Sequence, residues 1–410
     1  MAHILLFLKR IAKAILPLKA YESLKNFYWK RFAPQMPKEG YQGGVDTALR
    51  FGVNLFIYHA NNSAGMEGHL LQSALSAAKI PYYIIDLSSP EKFLAEHKED
   101  LPYRINLIVL HAASETPKRL QLFGIDFSKY YNIGYWAWEL DQVPDIYCEG
   151  LDIFQEMWTL SEFCTKALEK KARVPVLTVP NCANPERDVI PNGREYFGLD
   201  PNCFLFMFAY DCNSFVARKN PQAVVRAFMK AFSPQDTHVG LVLKLIYPES
   251  YKEHIEQLLE TLSPYKNIYY IDKYLTDTEM RTLVQTSDAF VTLHRSEGLG
   301  LLPMEAMSLG TPVISTAWSG NMEYMNHMNT ALVGYTMVPV DGRYVGSVPG
   351  DGMMWAEADV DEAAELMRRM VSDKSWRDKL ISHGYDTVNH AYGANTIGKI
   401  MRDRLELLNS

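Results

Sequence analysis

Ser296-Glu297-Gly298-Leu299-Gly300-Leu301-Leu302-Pro303-Met304-Glu305 joins an apolar run, Ala289 to Leu293, to a helical pattern, Leu302 to Leu309. A strand that runs through a glycine-bearing turn into a helix is the junction from which parallel α/β sheets are built. Its chemistry reads as an anion site. Gly298 and Gly300 let the backbone approach a ligand closely, and the free amides and positive end of the following helix favour a phosphate. Glu297 before the turn and Glu305 inside the helix can reach hydroxyls on either side of that phosphate, a sugar on one and a ribose on the other. The plainer reading is that Glu305 only complements the helix dipole and the glycines only close a loop. Gly310-Thr311-Pro312-Val313-Ile314 then stops the helix and starts a buried strand, and Ser319-Gly320-Asn321 opens a further helix.

Outward from this junction, apolar runs alternate with helical patterns. Upstream, Phe204 to Ala209, Val239 to Leu245 and Ile268 to Ile271 are separated by helices at Pro221 to Ala231, Ser250 to Leu262 and Asp277 to Thr286. The first half repeats the rhythm: Val53 to His59, Tyr82 to Asp86, Ile105 to Leu110, Tyr131 to Trp136, Glu156 to Leu160 and Val176 to Val179, with helices at Gly68 to Ala78 and Glu162 to Ala172. Asn181 to Gly193, with Pro185 and Pro191, breaks it and reads as an interdomain linker. The expected architecture is α/β, two doubly wound Rossmann-like sheets in tandem over residues 51–190 and 191–390. A segment 1–50 precedes them, and a helix within 391–410 is expected to pack back on the first domain.

With 410 residues, a single core is not expected. A chain that is 48% hydrophobic and 22% charged is neither disordered nor collagen-like, and a net charge of -7 argues against a general nucleic-acid binder, which needs a cationic face. The five cysteines, Cys148, Cys164, Cys182, Cys203 and Cys212, form no CxxC pair, zinc spacing or secreted disulfide framework, which fits a reducing cytosol.

Charge is placed unevenly. Residues 1–31 hold Lys9, Arg10, Lys13, Lys19, Lys25, Lys30 and Arg31 against Glu22 alone. Ile4, Leu5, Leu8, Ile11, Ala12, Ile15 and Leu18 recur between them at helical spacing, the pattern of a helix lying on an anionic membrane surface; a helix packed on the main body is the alternative. The apolar run Ile4 to Leu8 is too short to span a bilayer. Pro34, Pro37 and Gly40 to Gly44 read as a linker.

Glu297 to Glu305, followed by Ala306-Met307 and Gly310 to Ile314, resembles the donor-site signature of retaining GT-B glycosyltransferases, family 4. Leu293-His294-Arg295-Ser296-Glu297-Gly298 and Ala217-Arg218-Lys219-Asn220-Pro221 resemble a bacterial group that builds polysaccharide and lipopolysaccharide. The resemblance covers roughly residues 50–390 and implies two Rossmann-like domains facing a cleft, with a nucleotide-sugar donor, UDP- or GDP-linked, as substrate. No separate cofactor is implied.

The resemblance also assigns roles. Arg218 and Lys219 match the basic pair that grips the donor diphosphate, where negative charge grows as the glycosidic bond breaks. Glu297 matches the carboxylate on donor sugar hydroxyls, Glu305 the one that holds the ribose, and the amides of Gly298, Leu299, Gly300 and Leu301 the phosphate cradle. Lys273 and Tyr274, within Asp272 to Leu275, match the stretch that reads the base. Arg295 stands where contact with phosphate is expected, beside His294. In the first domain, Ser63-Ala64-Gly65-Met66-Glu67-Gly68 matches a glycine-bearing loop facing the donor, and Gly134 to Leu140 an aromatic acidic loop facing the cleft. Many relatives carry a histidine in this region; here Trp136 and Trp138 stand in the loop, to stack on sugars or pack in the core. His111 and Glu139 are the candidates for a base within reach of an acceptor hydroxyl.

Three other readings compete. Gly65 and Gly68, followed by Asp86, form part of a dinucleotide fingerprint, but its first glycine is missing. A GT-B sugar-nucleotide epimerase would share the donor site. A non-catalytic glycan-binding relative would have lost it, whereas Glu297, Glu305, Arg218 and Lys219 are all present. No Asp-x-Asp motif is expected at a strand end to hold a metal, since two cations and a helix terminus can supply the charge. The expectation is a retaining hexosyltransferase with a glycan or lipid-linked acceptor, cytoplasmic and peripheral at the inner face of the cell membrane.

Overall fold

The computed structural model describes residues 51–58, 63–96, 100–110, 119–148, 151–212, 215–246, 251–340, 343–344, 348–349 and 352–409. The amphipathic stretch and linker read in residues 1–50, and His111, lie outside them.

The first sheet is built from β1 (Val53–Ile57), β2 (Tyr82–Asp86), β3 (Ile105–Leu110), β4 (Tyr131–Trp136), β5 (Glu156–Thr159) and β6 (Val176–Thr178), all parallel, in the order β2-β1-β3-β4-β5-β6. Its central strands are apolar on both faces because helices cover both, so Val53, Leu55, Phe56 and Ile57 are each at most 1% exposed. One polar position interrupts three of these strands at matching register. Asn54 donates to Asn106 and Asn106 to Asn132, each at 2.8 Å, within a buried ladder. A slip of one residue would orphan these amides, so the ladder fixes the register that an apolar pattern leaves loose.

The second sheet holds β7 (Phe204–Asp211), β8 (Val239–Ile246), β9 (Ile268–Ile271), β10 (Ala289–Thr292), β11 (Val313–Thr316) and β12 (Ala331–Val333), also parallel, in the order β12-β11-β10-β7-β8-β9. The chain reverses its winding between β7 and β10 here, and between β1 and β3 in the first sheet. Loops leaving the carboxyl ends of such strand pairs diverge and open a crevice, the place where doubly wound sheets bind ligands. The segment Ser319-Gly320-Asn321 opens only a 3-10 turn, Gly320–Glu323, rather than a longer helix. Ser319 stands at φ +79° there, and its hydroxyl accepts the Glu297 amide at 2.8 Å, so the turn serves the site instead of extending.

Two elements tie the halves together. The helix Ala394–Asn409 lies against the helix Ser63–Ala77. Contact at Gly398 is so close that a Cβ would meet the Ala74 carbonyl at 2.2 Å. Arg404 of that helix pairs with the Glu156 carboxylate, which is fully buried and also accepts from Trp158 Nε1 at 2.5 Å. The antiparallel strands Tyr335–Pro339 and Met354–Ala358 form the second tie. They carry Val340, Met353 and Trp355 into the core that holds Trp138 and Tyr147 of the first domain.

Candidate functional site

At the second crevice, the loop after β7 ends in one helical turn, Val216–Lys219. Asn220 at φ +53° stops it, and Pro221 starts the next helix, Pro221–Ala231, at a position where a missing N–H costs nothing. This break leaves Arg218 and Lys219 at the end of a turn pointing at the loop after β10. Lys219 Nζ reaches Glu297 at 2.5 Å, and Arg218 Nη1 reaches the same carboxylate at 2.8 Å. Arg218 also donates to the Ser296 carbonyl at 2.8 Å and pairs through Nη2 with Glu139 of the first domain at 2.9 Å. Two cations and two carboxylates, drawn from three loops and both domains, thus meet in one cluster.

Burial alone would raise the pKa of Glu297, but Arg218 and Lys219 outweigh it and hold the carboxyl well below the usual range. Its charge is secured by these two cations. His294, under the same cluster, is fully buried; burial brings its pKa down to about 4, opposed by Glu297 and assisted by Lys219 and Arg218. It is a neutral ring at pH 7, with Nε2 3.4 Å from Ser315 Oγ.

The glycine turn is set by contact across the cleft. A Cβ on Gly298 would meet the Trp138 carbonyl of the first domain at 2.9 Å, and the Gly298 carbonyl accepts from Ser161 Oγ of that domain at 2.6 Å. Gly300 stands at φ +85° and caps the helix Leu301–Ser308. Tyr324 donates to the Gly300 carbonyl at 2.6 Å and holds the turn from behind.

Glu305, one turn into that helix, borders a cleft of about 1160 Å³ between the domains, lined also by Gly65, His69, Asn184, Tyr274 and Leu301. Burial raises its pKa, opposed by Arg281 and by Asn184, whose amide donates at 3.4 Å. Tyr274 is 72% exposed and Lys273 lies beside it at the rim, its Nζ 4.0 Å from Glu279. The cleft thus brings together the start of the helix at Leu301 and Leu302, Glu305, Tyr274 and Gly65, while Glu297, Arg218, Lys219 and Glu139 are grouped at the loop before the glycine turn.

Other residues singled out in the sequence stand elsewhere. Arg295 is committed to Glu357 at 2.6 Å and to the Ala217 carbonyl at 2.7 Å, and lies over the Trp355 ring, so it braces the Arg218 loop instead of facing the cleft as a free cation. Trp136 and Trp138 are 3% and 2% exposed and pack against each other in the core with their rings tilted, which leaves no ring face for a sugar. Asp359-Val360-Asp361 does follow a strand, contrary to the expectation that no such motif would. Asp359, however, caps the helix Val360–Ser372, accepting from the Asp361 and Glu362 amides at 2.9 and 3.0 Å. Among the described residues, no three His, Cys, Asp or Glu come together to hold a metal. Sequence reasoning missed Asn184, hidden in a stretch read as linker, and Ser161, an N-cap of the helix Glu162–Glu169 that also crosses the cleft.

Residues 210–387 match the family model of glycosyl transferases group 1. Among solved structures, Anabaena HepE in complex with UDP and glucose is 13% identical with a TM-score of 0.61, over 87% of this chain and 100% of that one. Sucrose-phosphate synthase from Thermosynechococcus elongatus is 14% identical, TM-score 0.62, over 88% and 99%. A glycosyltransferase from Rickettsia africae is 12% identical, TM-score 0.63, over 88% and 99%. No curated protein matches the chain in sequence. The two facing sheets are the GT-B fold, and the chain is a glycosyltransferase.

Proposed function

We propose that this glycosyltransferase moves a hexose from a UDP- or GDP-linked donor to a hydroxyl of a glycan or lipid-linked acceptor in cell-surface polysaccharide assembly, with retention of anomeric configuration. The observation that carries the reading is the convergence of Arg218 and Lys219 on Glu297, at 2.8 and 2.5 Å, at the second crevice, directly before the Gly298 to Leu301 turn and its helix. In this reading Arg218, Lys219 and the turn's amides take the diphosphate. Glu305 holds the ribose, and Lys273 and Tyr274 border the base. HepE and the sucrose-phosphate synthase share this fold, and the former holds UDP and glucose.

No protein nucleophile faces the cluster among the described residues that the site brings together; Glu297 and Glu139 are both tied to cations. The acceptor therefore attacks from the face the leaving group departs, and a departing phosphate oxygen receives the acceptor proton. Two cations and a helix terminus stabilise the charge growing on the leaving diphosphate, which is where transition-state binding lowers the barrier. Gly65 and the Glu139 loop close the cleft from the first domain and keep water from the donor. The basic segment of residues 1–31 supports an acceptor at an anionic membrane surface on the cytoplasmic side.

The test is to incubate the full chain with UDP- and GDP-hexoses and lipid-linked glycan acceptors. Product with the donor's anomeric configuration supports the reading. Free sugar or an epimer without acceptor would favour the epimerase, and inverted product would remove the retaining mechanism.

A further inference from the structure

The stretch that joins the two domains is not a loose tether where it passes the cleft. Asn181, Cys182, Ala183 and Asn184 are each at most 5% exposed. Cys182 Sγ donates to the Leu70 carbonyl at 3.2 Å, and the Ala183 amide to the Tyr392 carbonyl at 2.8 Å. Two residues beyond Asn184, the Glu186 carboxylate takes His69 Nε2 of the first domain at 3.3 Å and Arg281 Nη1 of the second at 3.0 Å. Backbone anchored on both sides carries its side chains at fixed points. Asn184 lies between these anchors, in the wall of the cleft that Glu305 also lines.

The orientation of the Asn184 carboxamide is settled locally. Its Oδ1 accepts the Glu186 amide at 3.0 Å, so the NH2 group faces the other way, where Nδ2 donates to Glu305 Oε1 at 3.4 Å. That bond is long, as such bonds often are before a ligand fills a site. Among the described residues no other hydrogen bond or ion pair reaches the Glu305 carboxylate. Burial raises the Glu305 pKa; Arg281 and then this amide oppose it and favour the ionised form, which accepts hydroxyls at both oxygens. We propose that Asn184 is a positioning residue for Glu305: its amide holds the carboxylate in the orientation that accepts the donor's ribose hydroxyls, so the linker takes part in selecting a ribonucleotide. The inference rests on the ribose role proposed for Glu305 above.

The experiment is calorimetric titration of the full chain at about pH 8, where free carboxyls are ionised, with UDP and GDP and, for whichever binds, its 2′,3′-dideoxy form. Wild type should bind the ribonucleotide about tenfold or more tightly than the dideoxy form, which has no hydroxyls to donate to a carboxylate. Asn184→Asp keeps the side chain's size and the oxygen that accepts the Glu186 amide, but loses the donor. It should cut ribonucleotide affinity about tenfold and leave dideoxy affinity within about threefold of wild type, and Asn184→Ala should give the same pattern. In the Glu305→Ala background, Asn184→Ala should cost no further preference for ribose. A preference unchanged in both Asn184 variants, or equal losses for both nucleotides, overturns the proposal, since Asn184 then serves the linker turn alone. A ribose-specific loss that persists without Glu305 also overturns it, because Asn184 then meets the ribose itself. A wild type that binds a nucleotide with no preference for ribose overturns the ribose role of Glu305, and this inference with it, but not the diphosphate site. One that binds neither nucleotide overturns that site as well.

Discussion

Arg218 of the second domain lies 2.9 Å from Glu139 of the first, an ion pair that spans the cleft while Arg218 itself is only 2% exposed. Its guanidinium is oriented from three sides, by Glu139, Glu297 and the Ser296 carbonyl, so it is presented to the crevice in one geometry. The same pair makes Glu139 a competitor for any anion that binds there.

Replacing Glu139 by Gln removes that competitor. UDP or GDP, whichever the wild type binds, should bind Glu139→Gln more tightly, by up to about tenfold, with the gain shrinking as salt is added. Weaker binding in calorimetry would mean that Glu139 supports the donor instead of yielding to it.

Replacing Arg218 by Ala leaves the Glu297 carboxylate, 13% exposed, with Lys219 alone. Breaking a buried pair from one side costs on the order of 3–5 kcal/mol. Urea unfolding should show a loss of that order, and nucleotide affinity should fall more than tenfold; Arg218→Lys should recover stability better than affinity, since it lacks the second branch.

Arg404→Ala tests the fold rather than the site. The Glu156 carboxylate it leaves behind is fully buried, so about 3 kcal/mol of stability should be lost. Amide exchange should accelerate first in Ala394–Asn409. A change confined to the second sheet would contradict the docking of that helix on the first.

Two buried groups give stability opposite slopes with pH. His294 has its folded pKa lowered to about 4, so the unfolded chain binds more protons below its ordinary value near 6.5, and stability falls as pH drops from there toward about 4. Glu67 has its folded pKa raised to about 8, so the folded chain binds more protons above the ordinary value near 4.5, and stability falls as pH rises from there to about 8. Thermal unfolding of Glu67→Gln should lose the second slope and keep the first.

Much of the fold was legible because strands buried on both faces must be apolar and short, and their helices must separate them; β9 and the helix Asp277–Thr286 fall where the pattern put them. The glycine turn, its two glutamates and the adjacent Arg218 and Lys219 were legible because each is a local signal. What failed to show were relationships between distant positions. Nothing near Arg295 announces that Glu357 takes its charge, nothing near Trp136 that its ring is walled in, and nothing around Glu67 that a carboxylate 72 residues on adds its charge to the effect of burial. The buried Asn54, Asn106 and Asn132 are likewise unremarkable singly and decisive only in register.

The central claim is that a nucleotide diphosphate binds between Arg218, Lys219, the Gly298 to Leu301 turn and Glu305. Thermal unfolding of the wild type and Glu305→Ala with UDP, GDP and ADP in turn, with EDTA present, tests it most directly. A ligand at about 100 times its dissociation constant adds roughly 2.7 kcal/mol to folded-state stability. The account predicts that UDP or GDP stabilises the wild type to that extent and Glu305→Ala far less. Stabilisation of neither protein by any nucleotide, or of both equally, would contradict it.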